Sequence, residues 1–365
     1  MAIKNLWRRK ARTILTAGGI AIGIAVVVTL LALANGLSSD INALVGHQGA
    51  DLCLMQAGVA DMMFSVLDKE TGESIAAMPE IQWVAGLLIQ IIPIEQKPYF
   101  VVLGVDLRGP ASEHFRNVQG ESALQSGQLL LGQMAADYLN KAPGDQLTLQ
   151  GKTYSIAGIY ETGVGYEDAG AVLALDEAQR LFRKEGLVSL YQVKLYSEFW
   201  DQADRIVQRI ESDFAQVKAY PSAEFAQNTP DIQSFQALAG AMSLVGLLAG
   251  ALGTMNTMLM SVTERTREIG TLRALGWRKR QVLGLIMQEA ITLSLLGGLV
   301  GMLLGVGLVR LIGFVPALQG YMNGQVTPAV LASGGVIALA LGTLGSLYPA
   351  WRAACMQPIE ALRYE

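Results

Sequence analysis

The charged residues from Thr263 to Arg280 (TERTREIGTLRALGWRKR) carry the most specific spacing in the chain. Glu264 and Glu268 stand four apart and share one helix face, with Arg265 and Arg267 around them. Ile269, Leu272 and Leu275 supply an apolar stripe at helical spacing. Gly276 permits a break, and Trp277 opens a basic run suited to a membrane interface. This is docking chemistry rather than bond-making chemistry. A plain loop needs only charge, whereas an amphipathic helix with a glycine stop fits a groove on a partner.

Bond-making constellations are poorly supported elsewhere. The two histidines, His47 and His114, lie far apart without ligand spacing, so each reads as a solvated or hydrogen-bonded residue. Glu167 and Asp168 are adjacent carboxylates on an acidic stretch and read as a solvated pair. Gly151-Lys152-Thr153 resembles the end of a phosphate-binding loop. The full motif needs a glycine at position 146, which is Gln, and a strand–loop–helix context that a hairpin does not provide. The chain therefore reads as carrying no ATPase of its own. Glycines recur at four-residue spacing: Gly19 and Gly23, Gly246 and Gly250, and Gly297, Gly301 and Gly305. Such a face lets helices approach closely, either within one chain or at a dimer seam.

The elements that position these residues are membrane helices. The chain has 365 residues, 52% hydrophobic and 16% charged, too apolar for an ordinary soluble protein of this length. Crossing the hydrocarbon core takes about 20 apolar residues. Ile14 to Leu37, Phe235 to Val262 and Pro328 to Ala350 qualify without a charge, and Ile291 to Val315 qualifies with Arg310 near its end. The first run also follows a basic start and contains Ala32-Leu33-Ala34, but it is too long for a cleaved signal and reads as a retained anchor.

Charge sets the orientation. Lys4, Arg8, Arg9, Lys10 and Arg12 precede the first span; Arg265, Arg267, Arg273, Arg278, Lys279 and Arg280 join the second and third; Arg352 and Arg363 follow the fourth. All three segments belong in the cytoplasm, with both termini. Residues 36–234 carry 13 Lys and Arg against 26 Asp and Glu and belong outside. Cys53 and Cys355 then fall on opposite sides and do not pair. The acidic surface disfavours anionic partners, and nucleic acid is not expected among them.

The outside region reads as mixed α and β. Tyr99 to Gly104 is a buried strand; Gln146 to Leu149 and Thr153 to Ile159 form a hairpin through Gln150-Gly151-Lys152; Leu190 to Leu195 is a further strand. Asp176 to Lys184 and Trp200 to Phe214 read as helices, the second with Ile206, Ile210 and Phe214 on one face. Ala50 to Ser74 has no clear pattern. The expected fold is an α-helical membrane protein with four transmembrane helices plus a mixed α/β periplasmic domain. Residues 1–12 form a cytoplasmic N-terminal segment, 13–37 the first span, 38–234 the periplasmic domain and 235–262 the second span. Residues 263–282 form a cytoplasmic segment, 283–315 the third span, 316–327 a short external loop, 328–350 the fourth span and 351–365 a cytoplasmic tail.

On these residues the chain resembles the MacB-type, FtsX-like ABC transporter permeases. The resemblance rests on ERTREIGTLRALGWRKRQVLGLIMQEA (Glu264 to Ala290), on YPAWRAACMQPIEALRYE (Tyr348 to Glu365), on NLWRRKARTILTAGGIAIGIA (Asn5 to Ala25), on the core-domain stretch LLGQMAADYLNKAPGDQLTLQGKTYSIAGIYETG, and on the order of one span, a large domain and three spans. It implies a permease in the bacterial inner membrane, paired with a second permease copy or with a sister permease, and working with a separate ABC ATPase subunit that binds ATP and Mg. A periplasmic adaptor is a further expected partner, beside membrane lipid. MacB carries a fused ATPase before its first span; this sequence opens on the N-terminal helix, like the split members. The resemblance makes Glu264, Arg267, Glu268, Gly270, Arg273, Leu275 and Gly276 the expected ATPase-coupling residues, as docking charges and a shaped helix end. No catalytic or metal-binding residue is expected. The implied function is export of a hydrophobic or amphipathic substrate. The alternative is a mechanical transmitter that activates a cell-envelope hydrolase.

Overall fold

The computed structural model describes residues 10–46, 49–94, 97–107, 109, 114–115, 118–121, 124–228, 230–315, 320 and 323–357. His47, the basic residues Lys4, Arg8 and Arg9, and the ending from Pro358 to Glu365 lie outside them, as do the side chains of Lys10 and Arg12. The chain runs through α1 (Lys10–Gly46), β1 (Leu52–Gln56), β2 (Leu67–Asp68), α2 (Lys69–Ala76), β3 (Ile81–Ile94) and β4 (Lys97–Val105). It continues through β5 (Val118–Gly120), β6 (Gln128–Gly132), α3 (Gln133–Leu139), β7 (Gln146–Leu149), β8 (Lys152–Tyr160), α4 (Gly165–Asp168) and β9 (Ala171–Ala174). Then come α5 (Leu175–Phe182), β10 (Leu187–Val188), β11 (Leu190–Leu195), α6 (Ala203–Asp213), β12 (Val217–Pro221) and α7 (Phe225–Asn228). The chain ends with α8 (Pro230–Glu264), α9 (Thr266–Ala274), α10 (Lys279–Gly313) and α11 (Pro328–Cys355). It divides into two compact units: Asn35–Phe235 with Ile312–Asn323, and the remainder.

The helical unit holds most of the four helices that are long and apolar enough to cross a membrane: Ala17–Gly46, Ile232–Glu264, Lys279–Gly313 and Pro328–Cys355. The shortest has 28 residues, about 42 Å at 1.5 Å per residue, which exceeds a hydrocarbon core of roughly 30 Å. Helix α1 continues beyond Leu37 to Gly46, because the residues after Leu37 keep an apolar face. Ile41, Leu44 and Val45 are buried in the core of the α/β unit. Helix α11 starts at an N-cap, with Thr327 Oγ1 accepting from the Val330 N–H and Pro328 at the first helical position.

The glycine repeat of α10 packs on α1. A Cβ on Gly301 would stand 2.6 Å from the Ala21 carbonyl oxygen, and one on Gly305 would stand 2.9 Å from the Val28 side chain. Gly297 meets Ala17 and Ile20 in the same way. These three glycines lie against α1 of the same chain. Thr29 Oγ1 adds a hydrogen bond to the Gly305 carbonyl at 3.4 Å. Gly250 of α8 lies against Leu341 of α11. Gly19 and Gly23 of α1 and Gly246 and Gly250 of α8 line a groove of about 490 Å³.

The α/β unit is built on one sheet of order β12-β1-β11-β3-β4-β9-β6-β8-β5, with β7 on β8. Its pairs are antiparallel except β4 with β9 and β6 with β8. Val101, Leu103 and Val105 point into one apolar cluster and Phe100 and Val102 into another, as the two-residue period of a strand requires. With apolar layers on both faces, β4 has no polar side, which is why its residues alternate poorly in the sequence. The β7–β8 hairpin turns at Gln150 (φ 50°) and Gly151 (φ 80°), a left-handed pair that matches strand twist. Lys152 and Thr153 therefore begin a strand. Helix α6 buries Ile206 and Ile210 as its spacing predicts. The unpatterned stretch from Ala50 to Ser74 holds β1, β2 and the start of α2.

Candidate coupling site

Helix α8 ends at Glu264 and α9 begins at Thr266, so Arg265 (φ −109°, ψ 18°) alone forms the elbow between them. Helix α9 buries Thr266, Ile269 and Gly270. Ile269 packs with Val262, with Val282 and Ile286 of α10, and with Ala350, Ala353 and Ala354 of α11. The missing side chain at Gly270 leaves that face flat. The helix closes in a Schellman motif: Gly276 N–H donates to the Arg273 carbonyl at 3.1 Å and Trp277 N–H to the Leu272 carbonyl at 3.1 Å. The left-handed φ of Gly276, +93°, makes this closure possible.

Leu275 departs from the expected stripe. It is the C-cap, one residue past the last helical turn, and it leaves the face of Ile269 and Leu272 to stand 75% exposed. The outward face of α9 is Arg267, Thr271, Ala274 and Leu275, continued by Arg278, Lys279 and Arg280. Glu264 and Glu268 are exposed at the other end. Arg273 is not part of this outward face: it is half-buried, with a guanidinium nitrogen donating to the Trp277 carbonyl at 3.0 Å. Gly270 is buried as well, so within the expected coupling set these two shape the helix rather than present it.

Glu289 was not among the expected residues; it holds the elbow from α10 and is buried, so it is no part of the outward face. Arg265 donates from Nε to Glu268 Oε2 at 3.0 Å and from a terminal nitrogen to Glu289 Oε2 at 2.9 Å. Burial opposes the charge of Arg265, but both acids outweigh it and hold the guanidinium above its ordinary range. The signal was present: from Val282 to Val315 the only charged residues are Glu289 and Arg310.

The adjacent carboxylates of the α/β unit are not solvated. Glu167 is 1% exposed and lies 2.6 Å from His114 Nε2. Asp168 accepts from Thr162 N–H (2.8 Å), Thr162 Oγ1 (3.0 Å) and Gly163 N–H (3.0 Å). They pin the turn before α4, because buried carboxylates persist only when hydrogen-bonded or paired. Among the described residues no group of three His, Cys, Asp or Glu is placed to hold a metal ion. Cys53 is buried and Cys355 exposed, both as free thiols.

Four membrane-length helices, an α/β domain inserted after the first, and a short helix bent between the second and third define a membrane permease of the ABC transporter class. Residues 13–228 match the MacB-like periplasmic core domain, and residues 240–358 match the FtsX-like permease C-terminal domain. The chain is 27% identical to the macrolide export ATP-binding/permease protein MacB of Marinobacter nauticus, covering all of this chain and 60% of that protein. It is 24% identical to an uncharacterised ABC transporter permease of Methanocaldococcus jannaschii, covering all of this chain and 97% of that one. It is 25% identical to the permease YvrN of Bacillus subtilis, covering all of this chain and 98% of that one. The chain belongs to the family of MacB-type, FtsX-like ABC transporter permeases.

Proposed function

We propose that this chain is the permease subunit of an ATP-driven exporter and that its outward α9 face seats a separate ABC ATPase subunit. The observation that carries the reading is Leu275, a large apolar side chain left 75% exposed at the end of a short helix whose other face packs on α10 and α11. An exposed apolar knob flanked by Arg267 and the run Arg278 to Arg280 is suited to a groove with acidic edges. The partner binds ATP and Mg and supplies hydrolysis; this chain contributes motion and no catalytic group. A second permease copy completes the complex, and a periplasmic adaptor extends it. The basic segments, and with them both termini, face the cytoplasm. A relative named as a macrolide exporter supports a hydrophobic or amphipathic substrate.

The test is co-purification of the tagged chain from native membranes, unaltered and as Arg267→Glu with Leu275→Glu. Recovery of an ABC ATPase with the unaltered chain only is expected. Equal recovery with both chains contradicts the docking face.

A further inference from the structure

We propose that Arg265 and Glu289 are positioning residues that make α9 and α10 move as one body, so that a push on α9 enters the membrane through α10. This deepens the coupling reading and rests on it. Arg265 is the single non-helical residue between α8 and α9, so the orientation of α9 is set by what its far side holds. Most of that hold is apolar: Ile269 against Val282 and Ile286. Apolar contact is non-directional and permits sliding. The ion pair is directional. One guanidinium holds Glu268 of α9 and Glu289 of α10 through two different nitrogens, at 3.0 and 2.9 Å. The fixed fork of an arginine gives such a contact a geometry that a point charge lacks.

Burial points the same way. Glu289 is 9% exposed, its partner Arg265 is half-buried, and no other charge stands on α10 from Val282 to Val309. A buried ion pair is seldom a gain in stability over an apolar pair of the same volume, whereas breaking one strands a charge. Holding α9 to α10 for stability needs no carboxylate here, so the pair is better explained by the direction it imposes. The space beside the pair is only about 20 Å³, so the two charges meet directly rather than through a pool of water.

The experiment uses the full chain with its co-purified ATPase in lipid nanodiscs. A spin label on a cysteine at Leu308, far along α10, reports motion in a Cys355→Ser background. Three readouts are taken: ATPase capture, thermal midpoint, and the change in label spectrum on adding ATP and Mg. The variants are Glu289→Gln, and Arg265→Gln with Glu289→Gln. Glu289→Gln is expected to keep ATPase capture within about twofold and to lose most of the spectral change. The double variant strands no charge, so it is expected to recover the thermal midpoint while the spectral change stays lost. Recovery of the spectral change in the double variant, or its retention in Glu289→Gln, overturns the proposal, because the pair then serves stability alone. Absence of ATPase capture by the unaltered chain would instead overturn the docking reading, and the proposal with it.

Discussion

The backbone N–H of Trp277 reaches back to the carbonyl of Leu272 at 3.1 Å, and this bond fixes where Leu275 and the basic run after it are presented. It depends on Gly276 at φ +93°. A side chain there is strained by roughly 1–2 kcal/mol. Gly276→Val is expected to reduce ATPase capture several-fold with little change in the thermal midpoint of the α/β domain, because the strain is local. Pull-down titration and thermal unfolding of the same preparation check both halves.

The contact of α10 with α1 separates glycines that matter from one that does not. A Cβ on Gly301 would come within 2.6 Å of the Ala21 backbone oxygen, whereas a Cβ on Gly307 meets nothing within 4 Å. Gly301→Val forces α1 and α10 apart and is expected to cost about 1–3 kcal/mol, the usual range for overpacking. Gly307→Ala is expected to leave the thermal midpoint unchanged or slightly raised. Differential scanning of the two variants in one detergent makes the comparison.

Lys97 gives the α/β unit a pH signature. Its side chain is buried, with Nζ donating to the Ala169 carbonyl at 3.3 Å, and burial pushes its pKa down from 10.5 to about 8. Below pH 8 the ammonium is charged in both folded and unfolded chains, and the full cost of burying it is present. Between about pH 8 and 10.5 the folded chain releases its proton while the unfolded chain keeps it, so stability rises with pH. Lys97→Met is expected to raise the thermal midpoint at neutral pH by a few degrees and to flatten its rise over that window. Thermal midpoints of both chains across that window, starting from neutral pH, provide the measurement.

Asp168 accepts three hydrogen bonds from Thr162 and Gly163. Asp168→Ala leaves two backbone donors without an acceptor and is expected to destabilise the α/β unit by roughly 2–4 kcal/mol. Asp168→Asn keeps one acceptor oxygen and should fall between the two. Denaturant midpoints at constant slope would show this order; a neutral Asp168→Ala would contradict it.

Much of this architecture was legible in the sequence, for reasons that differ by element. Apolar length marked the four membrane helices, since few soluble elements need about 20 uncharged residues. Gln150-Gly151 between alternating runs marked its hairpin, because the turn needs two left-handed residues. The repeat at Gly297, Gly301 and Gly305 announced a close approach, but spacing on one helix holds no information about which helix comes near. The stripe that included Leu275 failed because helical periodicity was extended one residue past the point where Gly276 ends the helix. Glu167 and Asp168 looked solvated because their partners, His114 and Thr162, come together only in the fold. The strand β3 shows no alternation, because Leu87, Leu88 and Ile89 are buried in succession, on both faces, while most of the rest is half-buried. Glu289 has a simpler reason: a single acid in an uncharged stretch of helix marks a charge that needs a partner but does not name it, and Arg265 lies 24 positions away.

Everything proposed for α9 depends on Leu275 entering a groove on an ABC ATPase. A photo-crosslinking amino acid at position 275 of the full chain in native membranes tests this, with position 284, on α10, as the comparison. The expected outcome is a crosslinked product at 275 that contains an ABC ATPase and is absent at 284. A product at 275 containing only lipid or a second permease copy, with the ATPase captured elsewhere on the chain, would show that Leu275 does not seat the ATPase.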